Sequence, residues 1–164
     1  LQLQAMHFPE GTTGLQLDTA ARTAMWREGY DFGHGTGHGV GHVLGVHEGP
    51  AQIRKNYRKD TVKPIQAGHV ITDEPGIYVQ GRFGVRIENC LLCVAAHETD
   101  FGRFLKFEPL TLCPYDRKLV AAEMLTCDER RWLNNYHERV KEVLMPLLAN
   151  EREKAWLEKA TLAI

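Results

Sequence analysis

Four of the eight histidines fall within residues 34–47: His34, His38, His42 and His47. Glycines at 33, 35, 37, 39 and 41 alternate with His34, Thr36, His38, Val40 and His42. A helix with that many glycines is disfavoured, by about 1 kcal/mol each relative to alanine. The segment is therefore expected to be extended or looped. One face is then bare backbone and the other presents His34, His38 and His42. A bare face admits another backbone or a ligand at close range. Strict alternation does not match G-x-G-x-x-G, and no Gly-Lys-Ser/Thr follows, so neither phosphate-cradling pattern is present.

Carboxylates supply the second constellation, in Thr72-Asp-Glu74-Pro-Gly-Ile-Tyr78 and Gly84-Val-Arg86-Ile-Glu88-Asn89. A hairpin centred on Gly81 puts Glu74 directly opposite Glu88, with Cβ atoms about 5 Å apart. Like charges so placed repel unless a shared proton, a cationic side chain or a metal ion offsets them. Arg86, two residues from Glu88 on the same face, is a candidate partner. A divalent cation is another, with a nearby histidine as a further ligand. Histidine with two carboxylates suits Mn²⁺, Fe²⁺, Co²⁺ or Zn²⁺. Hydrolytic two-metal sites use such donors to make a water nucleophilic.

The elements that must hold these groups are readable from pattern. Residues 15–29 read as a helix, with Leu17, Ala20, Ala21, Ala24 and Met25 at helical spacing. Residues 69–79 and 83–96 are rich in β-branched and apolar side chains and read as two strands of a hairpin. Another strand is expected over 105–112. Thr126-Cys-Asp-Glu129 is a capping box. Trp132, Leu133, Tyr136, Val140, Val143, Leu144 and Leu147 then mark one helical face. Pro146 should kink or end that helix, and a last short helix is expected over 150–162.

The chain has 164 residues, 43% of them hydrophobic, and a formal net charge of −1. That balance argues against a generic nucleic-acid or anionic-membrane partner. No run of about 18 apolar residues is present to span a membrane. The start at Leu1 does not read as a signal peptide. Cys90, Cys93, Cys113 and Cys127 are few and irregularly spaced, which favours a reduced, cytoplasmic setting. Cys90 and Cys93 should point to opposite faces of a strand as structural thiols, since no second pair completes a zinc ribbon. The basic run Arg54, Lys55, Arg58, Lys59 and Lys63 could touch phosphate, but with no nucleic-acid motif beside it the run reads as an exposed loop.

The motifs together resemble aminopeptidase P, the X-prolyl aminopeptidase branch of the pita-bread metallopeptidases, in its cytosolic eukaryotic form. They are His34-Gly-Thr-Gly-His38-Gly-Val-Gly, Val46-His47-Glu-Gly-Pro50, Thr72-Asp-Glu74-Pro-Gly and Gly84-Val-Arg86-Ile-Glu88-Asn89, continued by Phe107-Glu-Pro-Leu-Thr-Leu112 and Trp132-Leu-Asn-Asn-Tyr-His137. The resemblance implies an α+β fold, a curved antiparallel sheet with flanking helices. It implies a dinuclear site, usually holding Mn²⁺, with Zn²⁺ or Co²⁺ as alternatives. By the same resemblance His38, Glu74 and Glu88 correspond to metal ligands, with Glu88 bridging and Glu74 the general base. His34 and His47 correspond to substrate-positioning and oxyanion-stabilising histidines, and Tyr78 and Arg86 to groups that orient the ligands. His42 has no corresponding role.

Two further aspartate ligands, about eleven residues apart in the family, are not matched. Asp18 and Asp31 precede His38 but sit in no such motif. The resemblance therefore implies that residues 1–164 are the C-terminal half of a pita-bread catalytic domain, with a helical tail at 126–164. On its own such a half is expected to be inactive, to hold metal weakly or not at all, and either to self-associate through the uncovered sheet or to pair with a missing half. The parent is expected to be a cytoplasmic homodimer that cleaves peptides with proline second, and to bind neither nucleic acid nor membrane. A non-catalytic pita-bread interaction module, a prolidase and a methionine aminopeptidase are the alternatives.

Overall fold

A computed structural model describes residues 2–43 and 45–164. Two compact units divide the chain, residues 1–111 and 112–164. In the first, the strands are β1 (His7–Pro9), β2 (Gly37–His38), β3 (Gln52–Ile53), β4 (Val70–Asp73), β5 (Gly76–Val79), β6 (Phe83–Arg86), β7 (Asn89–Thr99) and β8 (Gly102–Pro109), with one helix, α1 (Gly14–Arg27). β1, β8, β7 and β4 form an antiparallel sheet in that order, while β2–β3 and β5–β6 are two-stranded. Leu17 from α1, Ile53 from β3, Ile71 from β4, Leu91 and Cys93 from β7 and Leu105 from β8 are buried in one apolar core. That core fixes the sheet against α1 and carries the site on the ends of β2, β4 and β6.

The expected hairpin forms in the expected register, but each arm is broken. Asp73 faces Asn89 on one side of the break and Gly76 faces Arg86 on the other. Glu74 and Glu88 thus share the rung where the ladder lapses. Pro75 has no N–H to give to a ladder, and the Glu74 N–H turns aside to the Thr36 carbonyl, 2.7 Å away. Gly81 closes the turn with φ of 71°, a conformation that glycine adopts without Cβ strain. The later strand runs Gly102–Pro109, earlier than the 105–112 expected.

Glycine alternation serves close packing, as its spacing implied. A Cβ on Gly37 would lie 1.8 Å from the Thr72 carbonyl oxygen, and one on Gly39 would lie 2.1 Å from that of Glu48. The extended stretch is short, however, because only Gly37 and His38 form a strand. Beyond it the chain bends, and His42 lies exposed instead of sharing a face with His34 and His38. All four cysteines are free thiols. Cys93 is buried, which pushes its thiol up to about 11, and Cys90 is half-buried.

The second unit holds α2 (Cys127–Leu144) and α3 (Glu151–Ala160). Thr126 and Glu129 form the expected reciprocal capping box, with Glu129 N–H to Thr126 Oγ1 at 3.3 Å and Thr126 N–H to Glu129 Oε2 at 2.9 Å. Tyr136, Val140 and Leu157 are buried, with Trp132 and Leu144 packed on them. Val143 and Leu147, placed on the same face by periodicity, are exposed. α2 ends at Leu144 and Pro146 lies in a 3₁₀ turn, so the helical rotation that would carry Leu147 inward is lost.

Candidate active site

β2 slides between β3 and β4 because Gly37 and Gly39 carry no side chain. Gly37 pairs with Ile53, and Gly39 bridges to Ile71. This brings the His38 N–H to Thr72 Oγ1 at 3.1 Å. The Thr72 hydroxyl donates onward to Glu74 Oε1 at 3.0 Å. The second carboxylate oxygen, Oε2, accepts from Arg86 Nη1 at 3.1 Å. Both His38 and Glu74 are nearly buried.

The His38 ring is held in one tautomer. Its Nδ1 lies 3.0 Å from the Gly39 carbonyl oxygen, which accepts and so places the proton there. Nε2 is left as an acceptor and lies 3.1 Å from Glu74 Oε1. Two acceptor atoms that close repel unless they share a proton or a cation. That donor pair fits a divalent ion of the borderline class.

A second chain of hydrogen bonds runs along the hairpin. Arg86 Nε donates to the Tyr78 hydroxyl at 2.8 Å, and that hydroxyl lies 2.8 Å from His34 Nε2. His34 Nδ1 meets the Gly35 carbonyl at 2.8 Å, so this ring too carries its proton on Nδ1 and accepts from Tyr78 through Nε2. The Tyr78 hydroxyl bond, foremost, favours the charged Arg86 guanidinium, and the charges of Glu74 and Glu88 act in the same direction. The His47 ring is exposed and lies 4.2 Å from that of His38, centroid to centroid.

His34, His38, His47, Glu74 and Arg86 line one cavity of about 340 Å³. Glu88 stands exposed on its interrupted rung. Among the described residues, no three His, Cys, Asp or Glu side chains converge as a metal-holding group. Arg86 is the physical reason the two glutamates tolerate one rung, since its guanidinium takes Glu74 Oε2.

Asp18 and Asp31 are engaged elsewhere. Arg22, fully buried on α1, pairs with Asp18 Oδ2 at 2.6 Å and Asp31 Oδ1 at 2.6 Å. It also donates to the carbonyls of Phe32 at 2.7 Å and His34 at 2.9 Å, and stands over the Phe32 ring. Burial would raise the Asp31 carboxyl, but Lys55, Arg22 and the Phe32 N–H together hold it far below the usual range. Asp18 Oδ1 accepts from Thr36 Oγ1 at 2.6 Å, and the Thr36 carbonyl takes the Glu74 N–H. One buried cation thereby anchors the backbone beneath both His34 and Glu74.

Pattern reading gave no role to Arg22 or Thr72, and it put Arg54 in an exposed loop where the structure has it half-buried. The first had a visible signal, the four-residue spacing from Asp18 on a helix. Thr72 had none, because its role depends on β2 lying beside β4.

Residues 1–95 match metallopeptidase family M24, and residues 103–164 match the C-terminal region of peptidase M24. Aminopeptidase P1 of Lotus japonicus is 46% identical over 157 residues, spanning 94% of this chain and 23% of that protein. Aminopeptidase P1 of Arabidopsis thaliana is 47% identical over 157 residues, spanning 94% of this chain and 24% of that one. The X-prolyl aminopeptidase of Caenorhabditis elegans, described as a cytosolic enzyme with a dinuclear active site, superimposes with a TM-score of 0.89 at 40% identity. That match covers 99% of this chain and 27% of the other. The chain thus spans about a quarter of the length of these relatives. It belongs to metallopeptidase family M24, is similar to the aminopeptidase P members of that family, and has their pita-bread fold.

Proposed function

We propose that these residues form part of the catalytic site of a metal-dependent aminopeptidase that releases the N-terminal residue from peptides with proline second. The observation that carries the reading is the approach of two acceptor atoms, His38 Nε2 and Glu74 Oε1, to 3.1 Å in a cavity with His34 and His47. Such a pair is unfavourable by itself and favourable around a cation.

His38, Glu74 and Glu88 would hold divalent metal, with Mn²⁺ the expected ion, and polypeptide outside these 164 residues would supply the other ligands. A bound divalent ion supplies Lewis-acid charge that makes water nucleophilic near neutral pH. Glu74 takes the proton of the attacking water as the new C–O bond forms. The bond to proline is a tertiary amide, so its nitrogen leaves only when it gains a proton, which Glu74 returns. Arg86 holds Glu74 Oε2 in place, and Tyr78 passes that orientation to His34. His47, exposed beside His38, is placed to donate to the oxyanion.

The test is cleavage of Ala-Pro-Gly by the metal-loaded full-length protein and by Glu74→Gln and Glu88→Ala. Loss of at least about a hundredfold in each variant is expected, the scale of a lost general base or charge-stabilising group. Near-normal turnover by either variant would overturn the assignment. The 164 residues alone should be inactive, and X-Pro cleavage by them would refute the shared-site reading.

A further inference from the structure

The basic run at residues 54–63 is not a uniform solvated loop. Lys55 pairs with Asp31, and Arg58 pairs with Asp60 at 3.3 Å. Arg54 has no ion-pair partner among the described residues, yet it is half-buried and lines the same cavity as His38 and Glu74. Its place follows from the sheet. β3 pairs Ile53 with Gly37, and Arg54 is the next residue out, so its side chain reaches back over Gly35. A Cβ on Gly35 would lie 3.0 Å from Arg54 Nε and 3.1 Å from Nη2, so the bare glycine is what seats the guanidinium.

The cavity's charge is unbalanced. Among the described residues, Arg54, Arg58 and Arg86 line it with Glu74 as the one carboxylate, and Glu74 is already bonded to Arg86 and Thr72. A half-buried guanidinium without an anion is a ready partner for a planar carboxylate, which it can take through two parallel N–H bonds. The volume of about 340 Å³ is at the small end for ligand sites, which run roughly 300–1,000 Å³. A peptide whose scissile bond lies at Glu74 would, if only two or three residues long, end within the same cavity.

We infer that Arg54, with Arg58 lining the same cavity, is an anion subsite that takes the C-terminal carboxylate of a short peptide and so favours tripeptide-length X-Pro substrates. The inference rests on the reaction proposed above. Arg54 acts on substrate binding, so its removal should appear in KM before kcat.

The experiment compares Ala-Pro-Gly with Ala-Pro-Gly amide, which lacks the carboxylate, in the full-length protein and in Arg54→Gln and Arg54→Lys. Calorimetric binding of Pro-Gly and Pro-Gly amide adds a reading that needs no turnover. The wild type should prefer the acid by on the order of 10- to 100-fold, the size of a charge-assisted hydrogen bond. Arg54→Gln should abolish the preference through a raised KM for the acid, and Arg54→Lys should restore part of it. Equal handling of acid and amide by the wild type, or a preference that survives Arg54→Gln, overturns the subsite while the proposed reaction stands. Acid-selective binding of Pro-Gly through Arg54 without cleavage of either tripeptide keeps the subsite and overturns the reaction. Neither cleavage nor binding overturns both.

Discussion

Arg22→Met should be among the most damaging single changes in the first unit. Arg22 is fully buried and Asp18 is 1% exposed, so the change leaves a carboxylate in the interior with only the Thr36 hydroxyl bonded to it. Breaking a buried pair from one side costs about 3–5 kcal/mol. The carbonyls of Phe32 and His34 also lose their donor. Asp31 suffers less, because it is 39% exposed and keeps Lys55. Replacing both partners, as Asp18→Leu with Arg22→Met, removes the stranded charge and should cost less than Arg22→Met alone. Urea unfolding followed by Trp26 fluorescence, in a background where Trp132 and Trp156 are Phe, reads the first unit. A cost below about 1 kcal/mol for Arg22→Met, or a double variant that costs the sum of both singles, would refute the buried-pair argument.

Three further outcomes are expected. Burial foremost, and then Arg117, depress the His137 imidazole below its ordinary value of 6.5, against a smaller opposing effect of the Leu162 carbonyl. The folded state therefore binds fewer protons than the unfolded one, so the second unit should lose stability as pH falls below about 6.5, and His137→Gln should flatten that slope. His137 Nε2 accepts the Tyr115 N–H at 3.1 Å, a bond that protonation breaks. Thr126→Ala removes the capping box and should lower the stability of the helical unit by about 1 kcal/mol in chemical denaturation. Gly37→Ala drives a Cβ to 1.8 Å from the Thr72 carbonyl, so it should cost at least about 1–3 kcal/mol and loosen His38, seen as faster amide exchange on β2 and β4.

Local chemistry was legible in the chain where one stretch decides its own structure. The capping box at Thr126 and Glu129 needs four residues, and the register around Gly81 needs one turn. Glycine alternation likewise marked a bare face open to another backbone or a ligand, and at Gly37 and Gly39 backbone carbonyls take it. Features that depend on distant segments were not legible. The lapse of the ladder at Glu74 arises because the Thr36 carbonyl competes for its N–H. Thr72 matters only because β2 packs beside it. Arg54 reads as one of several loop cations until the β2–β3 pairing carries it over Gly35. His42 follows the same alternation as His34 and His38, but the bend after β2 turns it outward.

The proposed function stands on a catalytic metal held by His38 and Glu74. It is tested most directly by the divalent metal content of the full-length protein and its His38→Ala variant, measured by mass spectrometry alongside cleavage of Ala-Pro-Gly. Metal is expected in the wild type, with a clear loss of bound ion in His38→Ala and loss of turnover in step with it. Unchanged metal content together with unchanged turnover in His38→Ala would contradict it.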